Sequence, residues 1–182
     1  KSMQESVKVV YDLEDPIGKM DYMKSLANGL KIGQTSVPIG VVAIIYEARP
    51  NVTLDCSILC LKSSNALILR GGKEAIETNK KIVEAVQKAF KNCGTDPNCV
   101  QLIEDTTRES AQELMKLNGY VDVLIPRGSR GLIQSVVQNA TVPVIETGEG
   151  NCHIYVDESA DIDMALKIIE NAKTQRIGVC NA

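Results

Sequence analysis

Cys180 differs from the other cysteines of the chain in its surroundings. It follows Arg-Ile-Gly-Val at 176–179, a glycine-containing stretch after a predicted helix, whereas Cys56 and Cys60 lie in an apolar segment. A cysteine becomes a strong nucleophile when nearby cations or backbone amides favour its thiolate form. Cys180 is therefore the candidate nucleophile, while buried cysteines in apolar segments usually act as small hydrophobic side chains.

Glycines follow three of the predicted strands. Backbone N–H groups can approach a phosphate closely at such positions, especially where a helix begins. A tight turn at the strand end explains any single glycine equally well, but three turns in register favour a nucleotide site. The dinucleotide fingerprint G-x-G-x-x-G is absent. The glycines are Gly71 and Gly72 after NALILR, Gly128 and Gly131 after VLIPR, and Gly148 and Gly150 after VIET.

Arginines accompany two of these turns. Arg70 ends a predicted buried strand, where a cation can hold a ribose 2′-phosphate or can simply be a solvated strand end. Arg127 and Arg130 flank Gly128 at the start of a predicted helix. They can hold an anion there, although arginines are also common on protein surfaces.

The remaining cysteines and the one histidine indicate neither a zinc site nor a cysteine hydrolase. The six cysteines form no C-x-x-C pair, and zinc sites need four ligands at characteristic spacings. His153 lies in an apparent strand, so no pairing with a cysteine can be argued. We expect free thiols and a reducing, cytoplasmic location, with a bridge between Cys93 and Cys99 as the alternative.

Composition excludes several classes of protein. The 182 residues include 20 Lys and Arg against 23 Asp and Glu, and only six aromatics, which argues against nucleic-acid binding. No apolar run approaches the length of a membrane span, and the first residues lack a signal-peptide core. The length predicts one domain over 1–182. Because the sequence begins with Lys1 and ends two residues after Cys180, we expect this chain to be a piece of a longer protein.

Apolar periodicity predicts alternating helices and strands, and a looser stretch around Pro16 and Gly18 leads into the first strand. The predicted inward faces are those of Ile76, Val83, Val86 and Phe90 in the helix at 73–90 and of Ile162, Leu166 and Ile169 in the helix at 161–173. A capping box from Thr106 to Glu109 opens one of the helices. Strands separated by helices indicate an α/β fold, a doubly wound and mostly parallel sheet with helices on both faces. Helices are predicted over 3–13, 53–62, 73–90, 106–117, 128–139 and 161–173, and strands over 29–36, 39–46, 65–69, 100–103, 121–125, 142–145 and 153–156.

The sequence resembles the aldehyde dehydrogenase superfamily from end to end and, within it, the gamma-glutamyl phosphate reductase family. YEARPNVT, LRGGKEA and IPRG are more typical of these reductases than of ordinary aldehyde dehydrogenases. Ser64 and Ser129 stand where glycine is more usual. The matching segments include NGLKIGQTSVPIGVV at 28–42, IIYEARPNVT at 44–53, CLKSSNALILRGGKEA at 60–75, LIPRGSRGL at 124–132, VPVIETGEGNCHIYVDESADIDMAL at 142–166 and VCNA at 179–182.

This resemblance implies NADPH-dependent reduction of L-glutamyl 5-phosphate to L-glutamate 5-semialdehyde in proline biosynthesis. Phosphate leaves when the thiolate of Cys180 attacks the acyl group, and the resulting thioester is reduced. The resemblance also implies a Rossmann-like cofactor domain here, a small-molecule substrate, and a homo-oligomer in the complete enzyme. A CoA-acylating aldehyde dehydrogenase is the main alternative. The other is a cofactor-binding fragment without activity.

The resemblance also assigns the candidate site. Glu146 matches a glutamate that activates water in hydrolytic relatives; a reductase needs no such water, so Glu146 either tunes the thiol or shapes its loop. Asn51 can donate to the oxyanion, whereas ionised Glu47, which stands in register with the family's asparagine, cannot. The catalytic candidates are Cys180, Asn51 and Glu146, with no metal, and those for the cofactor are Arg70, Gly71, Gly72, Lys73, Arg127, Gly128, Ser129 and Gly148.

Overall fold

The computed structural model describes residues 2–47, 49–146, 148 and 152–175. The chain divides into two compact units, the first ending at Glu146 and the second formed by the residues after it. The prediction of a single domain over 1–182 stays a prediction.

The first unit alternates helices and strands after an initial helix and hairpin. Short 3₁₀ turns lie at Lys73–Ala75 and Pro97–Cys99. The elements are α1 (Ser2–Asp12), β1 (Met20–Ser25), β2 (Lys31–Thr35), β3 (Val41–Tyr46), α2 (Pro50–Lys62), β4 (Ala66–Arg70), α3 (Ile76–Asn92), β5 (Val100–Leu102), α4 (Arg108–Leu114), β6 (Val123–Arg127) and α5 (Arg130–Asn139), and the second unit contains α6 (Ile162–Thr174).

A four-stranded parallel sheet in the order β5-β4-β3-β6 forms the centre of the first unit. The β-branched residues of β3 explain its central place. Val42 and Ile44 pack in the cluster with α2 and α3, whereas Ala43 and Ile45 pack in the cluster with α4 and α5. A strand covered on both faces needs apolar residues at every position. The predicted α/β fold with helices on both faces is confirmed.

Three sequence predictions about strands need correction. Met20–Ser25 forms a strand that pairs antiparallel with β2, although Pro16 and Gly18 had favoured an irregular stretch. Residues 142–145 form only one parallel bridge, between Val144 and Leu124. The strand predicted over 153–156, with His153 in it, is wrong, because those residues have no strand conformation.

Helix ends and faces also differ in places. The cap of α4 is Thr107, whose side chain accepts from the N–H of Ser110 at 3.3 Å, rather than Thr106. Asp161 caps α6, as the predicted start of that helix requires, but Ile162 and Leu166 are exposed instead of facing inward. Apolar spacing thus identified a helix face without identifying what covers it.

Candidate functional site

The carboxyl ends of β4, β3 and β6 meet along one edge of the sheet. Strand β3 lies between the other two, and the chain reaches β4 through α2 on one face but reaches β6 from β5 through α4 on the other. Ligands of open parallel sheets bind where the winding reverses in this way. The loops after β3 and β6 therefore form the candidate crevice.

A carboxylate occupies the start of α5 in this crevice. The two carboxylate oxygens of Glu47, just after β3, accept from Ser129: Oε2 from its N–H at 2.9 Å and Oε1 from its hydroxyl at 2.6 Å. A negative charge is stabilised at a helix N-terminus by the exposed N–H groups and the helix dipole. Sequence reasoning expected a ligand phosphate at this place and missed the Glu47 carboxylate.

Gly128 makes room for that contact. A Cβ atom built on Gly128 would lie 2.7 Å from Cδ of Glu47 and 2.8 Å from Cδ2 of Leu132. Gly128 was predicted to let a phosphate approach the backbone, but its lack of a side chain already has a reason within the chain, since the Glu47 side chain passes directly over it.

Gly71 is in close contact with a buried chain of polar groups. The hydroxyl of Thr53 lies 2.7 Å from that of Tyr46 and donates to Oδ1 of Asn79 at 2.9 Å. Because the one Thr53 proton goes to Asn79, the Tyr46 hydroxyl donates to Thr53. Burial raises the pKa of Tyr46 to about 12. The Nδ2 atom of Asn79 is buried without a hydrogen-bond partner in the described part of the chain and faces Gly71.

Arg70 is held by the loop between β5 and α4. Its Nη2 donates to the carbonyl oxygens of Thr106 at 2.7 Å and Thr107 at 2.6 Å. Its Nε atom is buried and has no partner among the described residues. Burial lowers the pKa of Arg70, and the carboxylate of Asp105 opposes this effect. Part of the guanidinium group thus serves the loop rather than a ligand.

The other candidates occupy varied positions. Arg127 lines a cavity on the α2 side of the sheet, away from α5, as does Asn51, whose Nδ2 donates to Oδ2 of Asp55 at 3.4 Å. Lys73, which follows β4, and Glu146, which follows the bridge at Val144, are both exposed. The structure therefore does not bring all the predicted cofactor residues to one point.

Gly148 and Cys180 lie beyond the first unit of the chain. Gly148 is exposed in the second unit. Cys180 lies outside the described residues, as do the glycine at 150 and the segment at 176–179. Their predicted roles stay predictions.

The described cysteines are unpaired thiols. Burial raises the pKa of Cys56 to about 12 and that of Cys60 to about 11, so both are protonated and unreactive at neutral pH. Within the described ranges, no three His, Cys, Asp or Glu side chains are grouped so that they could hold a metal ion. The helices of the described part are all too short or too polar to cross a membrane.

Comparison with known proteins shows extensive similarity to one group of enzymes. The model of the aldehyde dehydrogenase family matches residues 3–182. A gamma-glutamyl phosphate reductase of Clostridium perfringens (strain 13 / Type A) is 60% identical over 182 residues, which are all of this chain and 44% of that protein. The crystal structure of the gamma-glutamyl phosphate reductase of Thermotoga maritima is 49% identical, with a TM-score of 0.89, over 100% of this chain and 44% of that one.

A more distant match is an engineered glycolyl-CoA reductase with bound NADP+. It is 22% identical to this chain, with a TM-score of 0.73, and the match covers 94% of this chain and 43% of that one. At this identity the likeness shows the shared fold alone.

Proposed function

The chain belongs to the aldehyde dehydrogenase family, and on this basis we propose that the protein reduces L-glutamyl 5-phosphate to L-glutamate 5-semialdehyde. The observation that carries this proposal is the 60% identity, over the whole chain, to a gamma-glutamyl phosphate reductase. The chain spans 44% of the length of that relative. The activity is therefore proposed for the protein and not for these residues alone.

The overall reaction consumes one acyl phosphate, one NADPH and one proton, and it forms one aldehyde, one NADP+ and one phosphate. In the proposed course, the Cys180 sulfur attacks the acyl carbon, and the bond from that carbon to the phosphate oxygen breaks. The resulting thioester gains a hydride and collapses to the aldehyde, which frees the thiolate. When bound, the nicotinamide cofactor supplies the hydride. Asn51 is the proposed side-chain donor to the oxyanion.

The residues after β4 fit a cofactor phosphate better than those at α5. Lys73 is exposed beside the Gly71–Gly72 turn and makes no ion pair with any described residue. At α5, the Glu47 carboxylate already accepts both polar hydrogens of Ser129. A phosphate that bound to Ser129 would lie next to the Glu47 carboxylate, and the two anions would repel each other. A phosphate can therefore bind to Ser129 only after that carboxylate has moved.

Phosphate release tests the proposed reaction directly. We expect the full-length protein to oxidise NADPH and release phosphate in equal amounts when given L-glutamyl 5-phosphate, and to form no aldehyde from acyl-CoA. Reduction of acyl-CoA in preference to the acyl phosphate would favour the CoA-acylating alternative. The Cys180→Ser variant should lose the reaction, whereas Cys93→Ser, which changes an exposed cysteine, should retain it.

Nucleotide binding tests the assignment of Arg70. If Arg70 holds the 2′-phosphate, then Arg70→Ala should weaken binding of NADPH much more than binding of NADH, and Arg108→Ala, at an exposed arginine, should weaken neither. Equal weakening of both nucleotides would reject this role. It would instead fit the contacts that Arg70 makes with the carbonyls of Thr106 and Thr107.

The remaining proposals concern the context of the protein. The name of the relative supports a place in proline biosynthesis, and the described thiols are consistent with a cytoplasmic location. We further propose that the complete enzyme is a homo-oligomer. The 182-residue chain alone should bind the cofactor but reduce no substrate, and measurable NADPH oxidation by it would reject this last expectation.

A further inference from the structure

A cavity of about 450 Å³ lies between helix α2 and strands β3 and β6. Its volume falls in the range of small-molecule sites, about 300–1,000 Å³. Apolar side chains from both strands, including Val42, Ile44 and Ile125, line most of its surface. The charged residues of the lining are Arg49, Asp55 and Arg127, and its polar residues include Asn51.

Arg127 reaches this cavity because side chains alternate along β6. Val123 and Ile125 pack with the cluster under α2 and α3, whereas Leu124 packs with the cluster on the other face. Arg127 follows in the same alternation, so it lies on the same face of β6 as Val123 and Ile125. Arg127 lines the same cavity as Cys56 and Asp55, which both lie on α2.

The charges that line the cavity are not neutralised within the described part of the chain. Neither Arg49 nor Arg127 forms an ion pair there. Asp55 accepts from the amide of Asn51 at 3.4 Å, which leaves its negative charge uncompensated. Two guanidinium groups and one carboxylate give the lining a net charge of +1.

We propose that this cavity binds the charged groups of the substrate, with Asp55 receiving the ammonium group of its α-amino-acid end, Arg49 the α-carboxylate and Arg127 the phosphate. The inference rests on the proposed function, in which L-glutamyl 5-phosphate is the substrate. That molecule carries one ammonium group, one carboxylate and one phosphate, so its charges complement those of the cavity. Its methylene groups suit the apolar surface between them. Asn51, the proposed oxyanion donor, lines the same cavity.

Three acyl phosphates test this assignment in the full-length protein: L-glutamyl 5-phosphate, its N-acetyl derivative, which lacks the ammonium group, and butyryl phosphate, which lacks the whole amino-acid end. We expect Asp55→Asn to lower kcat/KM for glutamyl phosphate by about 10- to 100-fold and to leave the other two within about twofold. Asp55→Glu, which keeps the charge, should restore part of the preference for the ammonium group.

Arg49→Gln should lower kcat/KM for both substrates that carry the α-carboxylate, while butyryl phosphate is unaffected. Arg108→Gln, at an exposed arginine outside the cavity, serves as the matched control and should change nothing. Equal losses on all three substrates, or no loss with Asp55→Asn, would overturn the assignment but leave the proposed reaction intact. If the wild-type protein reduces none of the three, the proposed function fails and the assignment fails with it.

Discussion

Replacement of Gly71 by alanine should destabilise the protein strongly, although it adds only one methyl carbon. The new Cβ would overlap Nδ2 of Asn79 and lie 3.2 Å from both Cζ and the hydroxyl oxygen of Tyr46. Asn79 and Tyr46 are 0% and 1% exposed, so neither can turn toward solvent. Thr53 further restrains both side chains, through a hydrogen bond of 2.7 Å with Tyr46 and one of 2.9 Å with Asn79.

The size of the effect follows from what must move. Overpacking of a buried site costs about 1–3 kcal/mol, and loss of the Thr53–Asn79 hydrogen bond leaves buried groups unpaired at about 1–3 kcal/mol. We therefore expect Gly71→Ala to lower the free energy of unfolding by about 2–6 kcal/mol, measured by urea denaturation followed by circular dichroism. Gly131→Ala is the matched control, because a Cβ there meets no atom within 4 Å.

A double-mutant cycle tests the reason for this loss. Asn79→Ala removes the atom that the new methyl group overlaps, so Gly71→Ala should cost less than half as much in that background. Two outcomes would refute the reasoning: a loss below about 0.5 kcal/mol for Gly71→Ala, or the same loss with and without Asn79.

Three further predictions concern other parts of the first unit. Ser64 has a φ of +54°, a left-handed backbone conformation that is strained for a residue with a side chain. Ser64→Gly should therefore raise the free energy of unfolding by about 1 kcal/mol in urea denaturation, and a decrease would show that the conformation of Ser64 is not strained. Burial raises the pKa of the Cys56 thiol from its ordinary value of 9.0 to about 12. Between these two pH values the thiol of the unfolded chain loses its proton, whereas that of the folded chain keeps it. Stability should therefore fall over that range by up to about 1.4 kcal/mol per pH unit, and Cys56→Ala should reduce the slope. Glu47→Gln should cost about 1 kcal/mol in thermal unfolding through its contacts with Ser129, whereas Glu158→Gln, at an exposed position, should cost nothing.

Local sequence patterns were sufficient to predict the central elements. The apolar run at 39–46 predicted β3, and the spacing of Val83, Val86 and Phe90 predicted the buried face of α3. These predictions succeed because burial on one or both faces imposes a period that the sequence must repeat. The strand predicted over 153–156 failed, since an apolar run alone does not supply a pairing partner.

The contacts at the candidate site were harder to predict, because they join residues far apart in the chain. Glu47 and Ser129 are 82 positions apart, and no local pattern relates them. One signal was present for the buried polar chain: Asn79 interrupts the apolar face of α3, and Thr53 does the same in α2. A polar residue in such a face must find a buried partner.

Hydrogen exchange with and without NADPH tests most directly the proposal that the carboxyl-end edge of the sheet binds the nicotinamide cofactor. We predict that saturating NADPH slows amide exchange at 70–76 and at 127–133, while exchange in α1 is unchanged. Slowed exchange elsewhere with no change in these two segments, or no change anywhere at saturation, would contradict the proposal.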